Sequence, residues 1–224
     1  MILTGAGISA ESGLRTFRDS DGLWEGYDIY EVASPRGWLK DPETVLSFYN
    51  QRRKDIAAAQ PNAAHFGLAS LEDDFDVQII TQNIDDLHER AGSTKVLHLH
   101  GEIFSMRSVK NDRQLFPIRT DIRLGDLAPD GGQLRPHIVW FEEPVPMIEE
   151  AAEISAAADI FAVIGTSLVV YPAAGLLNCA PDGIPKFILD KQIPSTRSVS
   201  NLYTIESGAA AGIDMLKKQL RALL

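Results

Sequence analysis

An α/β fold built on a parallel sheet is what this 224-residue sequence predicts. Three observations carry that expectation. Short apolar runs bounded by Gly, Asn or Asp recur along the chain, as strands buried on both faces do. Helical patterns separate several of them. A glycine-rich segment, Thr4-Gly5-Ala6-Gly7-Ile8-Ser9-Ala10, follows the first apolar run directly.

The strands read as Met1–Leu3, Val77–Thr81, Lys95–Leu99, Ile138–Phe141, Ile160–Ile164, Lys186–Leu189 and Leu202–Ile205. The first is short against the usual run of about five or six residues, so the reading leaves open whether it begins upstream. Asp41-Pro42 is a cap followed by proline at the first helical position, and it starts a helix over Glu43–Ala59. Asn62 precedes a helix over Ala63–Glu72, and Pro146 one over Met147–Ala158. Ala210–Leu224 is a closing helix with Ile213, Leu216 and Leu220 on one face. Residues 14–60 hold no convincing strand, and residues 102–136 are polar with Gly125, Pro129, Gly131 and Gly132. Both read as insertions. The expected organisation is a large domain from about residues 1–13, 61–101 and 137–224, and a smaller one from about 14–60 and 102–136.

Composition excludes several classes. Hydrophobic residues at 45% and charged residues at 23% fit a globular chain, and no apolar run reaches the ~20 residues of a membrane span. No leader pattern points to export. Cys179 is the only cysteine, which rules out an internal disulfide and a cysteine zinc site. A reducing, cytoplasmic setting is the expectation. The formal net charge of −10 argues against nucleic acid as a partner.

The glycine segment fits G-x-G-x-x-A. Gly5 permits a tight turn, Gly7 lets backbone approach a pyrophosphate, and Ala10 lets the next helix pack closely. A plain strand-to-helix turn explains the same residues. An ordinary dinucleotide unit would place its second strand within about 30 residues. Here it comes at Val77, which makes a simple dehydrogenase a poor fit.

Four further segments follow strands. Thr81-Gln82-Asn83-Ile84-Asp85 puts amides and a carboxylate at a strand's carboxyl end, where open sheets bind ligands. Helix capping by Asn83 or Asp85 is the alternative. In His98-Leu99-His100-Gly101-Glu102, both histidines would share one strand face. A third metal ligand is lacking, so one catalytic base is the better reading. Gly165-Thr166-Ser167 suits ribose or phosphate, or caps a helix. Asp190 ends a strand and would accept ribose hydroxyls while repelling a 2′-phosphate, favouring NAD over NADP. His65, His88 and His137 have no ligand partner at useful spacing and read as structural, and Cys179 reads as a small core residue.

Together, GAGISAESGLRTFR, TQNIDDLHERAG, HLHGE, RPHIVWFEE and GTSLVVYPAAGL resemble the sirtuins, NAD-dependent protein-lysine deacylases, in order and spacing. FYNQRR is similar to the branch that accepts acidic acyl groups. The resemblance implies a Rossmann-like parallel sheet with helices on both faces, plus a smaller insertion-built domain. It implies NAD as cofactor and acyl-lysine proteins or peptides as substrates, with no nucleic acid or membrane partner. The acyl carbonyl oxygen would attack C1′ of the nicotinamide ribose. Nicotinamide would leave, and His100 would act as base on a ribose hydroxyl, which attacks the imidate carbon; water then completes the reaction, giving free lysine and O-acyl-ADP-ribose. Asn83 and Asp85 would assist, and Gln82, Asn83, Ile84 and Asp85 would hold ribose and nicotinamide. Gly5, Ala6, Gly7, Ala10 and Arg18 would form the cofactor loop, and Phe17 would shield the reacting centre. Gly165, Thr166, Ser167 and Asp190 would meet the phosphate and ribose end, with Ala209 near adenine. Val139, Trp140 and Phe141 would pair with substrate backbone by β-augmentation. Tyr49 and Arg52, three apart on a helix, would meet the carboxylate of a succinyl, malonyl or glutaryl group.

The sequence departs from the family in three places. Residues 102–136 contain no cysteine and no histidine, so zinc of the family type cannot bind there. Packing of Ile103, Phe104, Leu115, Phe116 and Ile118 on neighbouring helices is the expected substitute. Glu142 stands where the family often has glycine, and Asp190 where it usually has asparagine. Rival readings are an NAD hydrolase or ADP-ribosyltransferase using the same site, and a non-catalytic NAD or ADP-ribose sensor.

Overall fold

A computed structural model describes residues 1–15, 23–24, 26–195 and 199–224. The elements in chain order are β1 Ile2–Thr4, α1 Ala6–Ala10, β2 Leu23–Trp24, β3 Tyr27–Asp28, α2 Ile29–Val32, α3 Pro35–Lys40, α4 Pro42–Ala58, α5 Ala63–Ala69, β4 Ile79–Thr81, α6 Leu87–Arg90 and β5 Val96–His98. They continue with β6 Gly101–Ser108, β7 Leu115–Pro117, β8 Leu134–Ile138, α7 Ile148–Ala156, β9 Phe161–Ile164, β10 Lys186–Asp190, β11 Leu202–Glu206 and α8 Ala209–Arg221. The chain divides into two compact units. The first is Met1–Leu14, Gln60–Leu99 and Val145–Leu224, and the second is Arg15–Ala59 and His100–Pro144.

The first unit is the parallel sheet, in the order β11-β10-β9-β1-β4-β5. Period-two alternation splits its apolar residues between two buried faces. Ile2, Ile79, Ala162 and Phe187 pack with Leu68 of α5 and Ile213, Leu216 and Leu220 of α8. Leu3, Ile80, Val163 and Ile188 pack with Ala151 of α7 and with the 3₁₀ turn Ala173–Asn178. Both faces being dry explains why the strands read as unbroken apolar runs. The expected Ala63–Glu72 helix divides into α5 and a 3₁₀ turn, Ser70–Asp73. Cys179 ends the other 3₁₀ turn and is exposed, because Leu176 and Leu177 take the inward positions. That corrects its expected place in the core.

The second unit holds structure that the sequence reading did not anticipate. β2 pairs antiparallel with β3 within residues 14–60, where no strand was expected, and β6 pairs antiparallel with β7 and β8 within the segment read as a polar insertion. This small sheet is only part-buried, so it leaves no apolar run to find. The strand expected over Ile138–Phe141 is β8, which ends at Ile138 and belongs to this sheet. Its pairing of Gly101 with Ile138 is why His100, Gly101 and residues 137–144 group here and not with the parallel sheet.

No group of three or more metal-capable side chains is found among the described residues. Helix α4 orders the cysteine-free segment instead. Asn50 closes two bonds with the backbone of one residue: its Nδ2 donates to Ile122 O and its Oδ1 accepts from Ile122 N. Arg53, fully buried, donates to Ile103 O, Thr120 O and Asn50 Oδ1. Leu46, Ile122, Ala128 and Leu134 form the apolar part, joined by Phe116 and Ile118. Ile103 is buried, Phe104 carries the Arg119 guanidinium over its ring, and Leu115 is exposed, against expectation, on the strand's outward face. Asn50→Ala should therefore cost about 2–3 kcal/mol, because it leaves a buried peptide and a buried guanidinium short of partners. Urea midpoints check this. Dialysis against a chelator should leave Tm unmoved.

Candidate cofactor and acyl-binding site

The site residues divide between the two units. In the first, the sheet order places β1 beside both β4 and β9, with the chain running outward from β1 in opposite directions. That is a topological switch point, where open α/β sheets bind ligands beyond the carboxyl ends of their strands. The loops after β1 and β9 meet there. Gly7 N donates to Gly165 O at 2.8 Å and Gly5 N to Ile164 O at 3.1 Å. A Cβ on Gly7 would lie 2.7 Å from the Gly165 Cα, and one on Gly5 2.7 Å from the Thr166 Cβ. Gly165 itself has φ +64°, a left-handed conformation. Two backbones in contact leave no room for side chains, so glycine is required on both loops.

Gln82, just past β4, bridges these loops: its Nε2 donates to Thr166 Oγ1 at 3.2 Å and its backbone N to Thr4 O. Asn83 Nδ2 donates to Gly5 O and to Ser9 Oγ, both at 3.2 Å. Ser9 Oγ donates to Asp85 Oδ2 at 3.0 Å, and Asp85 Oδ1 accepts from Leu87 N. Asp85 thus satisfies the first amide of α6, the alternative the sequence left open, although Asp86 is the cap residue, and it also ties Ser9. Ile84 is half-buried between them.

One protonation pattern satisfies this network. The Asn62 amide donates to His65 Nδ1, which must therefore be the unprotonated nitrogen. His65 Nε2 then carries the hydrogen and faces Ser9 Oγ at 3.5 Å. Ser9 has one proton, which goes to Asp85, so it accepts from His65 and Asn83. Burial, opposed by Glu89, lowers His65 to about 4 and keeps it neutral. His88 is lowered well below its ordinary value, first by burial and then by His65 and His98. Its Nε2 meets Thr4 Oγ1 at 3.0 Å, and its ring stands edge-on to His65 with centroids 5.0 Å apart. Both histidines are structural, as expected. Ser9 is the residue sequence reasoning missed. The available signal was Asn62 and His65 at capping-box spacing.

The two histidines expected on one strand face are separated. β5 ends at His98, whose Nδ1 meets Asn83 O at 3.1 Å and Nε2 meets Glu89 at 2.8 Å. His98 therefore fixes the Gln82–Asp85 turn. His100 lies in a turn and opens the second unit. Gly101 follows at φ +80°, where a Cβ would stand 2.0 Å from His137 O. The turn is thus tied to β8, and His100 O accepts from Val139 N.

Asp190 ends β10, nearly buried, and its Oδ1 accepts from Gln192 N. Ser167 is part-buried and Ala209, buried, begins α8. Ala6 and Ala10 bound α1. Phe17 and Arg18 lie outside the described residues. The donor set suits an adenine dinucleotide: two glycine loops in contact, hydroxyls at Thr166 and Ser167, and a carboxylate at a strand end. No described helix is long and apolar enough to cross a membrane.

In the second unit, Tyr49 and Arg52 share the inward face of α4, with Tyr49 fully buried and Arg52 8% exposed. Arg52 Nη2 donates to Arg15 O at 3.0 Å. Val139, Trp140 and Phe141 depart from the strand expected for them. Their three amides donate to His100 O, Glu143 Oε2 and Ala33 O. Those three donors are engaged inside the unit. Glu142, where the family often has glycine, sits at φ +74° and pairs with Arg36.

A family model described as the Sir2 family matches residues 5–172. A Helicobacter pylori protein named NAD-dependent protein deacylase is 52% identical over 219 residues, covering 97% of this chain and 96% of its own. Among solved structures, a Sir2 homologue in complex with ADP-ribose superimposes with a TM-score of 0.90 at 37% identity, covering 100% of this chain and 92% of its own. A Sir2 homologue–NAD complex gives 0.88 at 37% identity, covering 100% and 89%.

Protonating His65 would put a hydrogen on the nitrogen that must accept from Asn62. Its folded pKa lies below the unfolded one, so its contribution is complete above about pH 6.5 and is lost as pH falls toward 4. His65→Gln should flatten the pH dependence of unfolding free energy across that window by roughly 3 kcal/mol. Urea titrations from pH 4 to 7 measure it. An unchanged slope would assign the effect to other groups.

Proposed function

Because the chain belongs to the Sir2 family and is an NAD-dependent protein deacylase, we propose that its preferred substrates carry an acidic acyl group on lysine. The observation that carries this is the buried pair on α4. Tyr49 and Arg52 occupy inward helix positions three residues apart. A guanidinium and a phenol held away from water suit a carboxylate, and their burial makes a solvated surface role a poor account of them.

Bound NAD supplies a ribose carbon whose bond to nicotinamide can be broken. The protein's residues supply position and proton transfer. The glycine loops and Thr166 take the phosphates and Asp190 the adenine ribose. Gln82, Asn83 and Asp85, braced by Ser9 and His98, take the nicotinamide ribose. His100 is the base, since a neutral imidazole can accept a ribose hydroxyl proton near neutral pH. Tyr49 and Arg52 hold the far end of the acyl chain. A charged hydrogen bond is worth roughly 1.5–3 kcal/mol, about tenfold to a hundredfold in selectivity.

The test is nicotinamide release and peptide mass with NAD and matched acetyl-lysine and succinyl-lysine peptides. Succinyl removal should be favoured, and Arg52→Met should lower succinyl kcat/KM about tenfold to a hundredfold. His100→Ala should lower both activities by roughly 10²–10⁴. Acetyl removal without succinyl removal would sink the acidic-acyl assignment. Nicotinamide release that needs no peptide would point to NAD hydrolysis instead.

A further inference from the structure

Among the buried polar atoms of the second unit that have no hydrogen-bond partner are the Tyr49 hydroxyl and the Trp140 indole Nε1. Tyr49 is fully buried and Trp140 is 2% exposed. They are neighbours. Their rings stack with centroids 6.4 Å and planes 29° apart, and the indole N–H lies beside the phenol oxygen. Buried donors without acceptors cost free energy, and native proteins keep few of them.

The indole is held in place from several sides. The Arg135 guanidinium lies 3.2 Å from the Trp140 ring centroid. Glu143 grips that arginine through Nη1 at 2.7 Å and Nη2 at 3.3 Å, and also accepts from the Trp140 amide at 2.8 Å. Trp38 packs against the indole with centroids 5.6 Å apart. Orientation is therefore fixed before any ligand arrives, which is what a recognition donor needs.

We propose that Trp140 Nε1–H acts with the Tyr49 hydroxyl as a paired donor for the terminal carboxylate of the acyl chain, which makes Trp140 a specificity-determining residue. This rests on the acidic-acyl reading above. A carboxylate has lone pairs for an indole N–H, a phenol O–H and a guanidinium together. An acetyl group ends in a methyl and leaves both donors unpaired. A site built around polar groups rejects an analogue that lacks them more strongly than a packing contact does.

The experiment compares succinyl-lysine and acetyl-lysine versions of one peptide by kcat/KM, using the wild type, Trp140→Phe and Arg52→Met. Phenylalanine keeps an aromatic ring and removes the N–H. The succinyl-to-acetyl ratio should fall about tenfold in Trp140→Phe, chiefly through KM for the succinyl peptide. Circular dichroism confirms that the variant is folded. Should it not fold, benzothienylalanine at position 140 keeps the bicyclic shape and also lacks the N–H. A ratio unchanged at position 140 but collapsed in Arg52→Met would make Trp140 a packing residue and overturn the inference while leaving the acidic-acyl reading intact. A wild type with no succinyl preference would overturn both.

Discussion

The contact on which the first unit depends is the close approach of two backbones, Gly7 and Gly165. Peptide meets peptide at 2.8 Å with no side chain between them. The approach is possible because β1 lies beside β9 in a parallel sheet, so their following loops emerge at the same end. It is useful because the chain reverses its direction of travel across the sheet there. A Cβ at Gly5, Gly7 or Gly165 would push the strands' ends apart and move Gln82 and Thr166, which are bonded across the same gap. Glycine choice, sheet order and cofactor chemistry are one constraint seen at three scales.

Behind that contact lies a polar network that keeps its geometry by being fully satisfied. Ser9 has a single proton and three neighbours, and only one assignment of hydrogens serves them all. That assignment requires a neutral His65, and burial supplies the neutrality. The same burial that makes these groups costly to leave unpaired makes them rigid when paired. The side chains proposed to face the ribose inherit that rigidity. Asn83 and Asp85 are held by Ser9, and their turn is pinned from the other side by His98.

The second unit solves a different problem. A segment without cysteine or histidine must still be ordered, and helix α4 does so with polar anchors. Asn50 and Arg53 reach into the segment and take peptide groups that would otherwise be buried without partners. Helix α4 also presents Tyr49 and Arg52 inward, so the residues that order the unit and those read as facing the acyl chain share one rigid element. Fixing the first set fixes the spacing of the second. Arg135 and Glu143 play the matching part around Trp140.

The sequence by itself determined the parallel sheet, because strands buried on both faces leave apolar runs that survive without any tertiary information. It also determined the glycine loops and the switch-point residues, since these are local patterns with a backbone reason. Some features were invisible locally. The half-exposed sheet around β6 lacks an apolar run, so the strand expected at Ile138–Phe141 was placed in the wrong sheet. His98 and His100 look equivalent in sequence, yet one closes the turn after β4 and the other opens a new unit. Ser9 resembles any small polar residue until three side chains from distant positions, His65, Asn83 and Asp85, converge on its hydroxyl. The engaged amides of Val139, Trp140 and Phe141 likewise depend on partners elsewhere in the chain or on a fold-back too irregular to show a period. Short-range periodicity reports which face is buried. Only the folded chain decides which polar atoms meet, because hydrogen bonds are directional and their partners are remote in sequence.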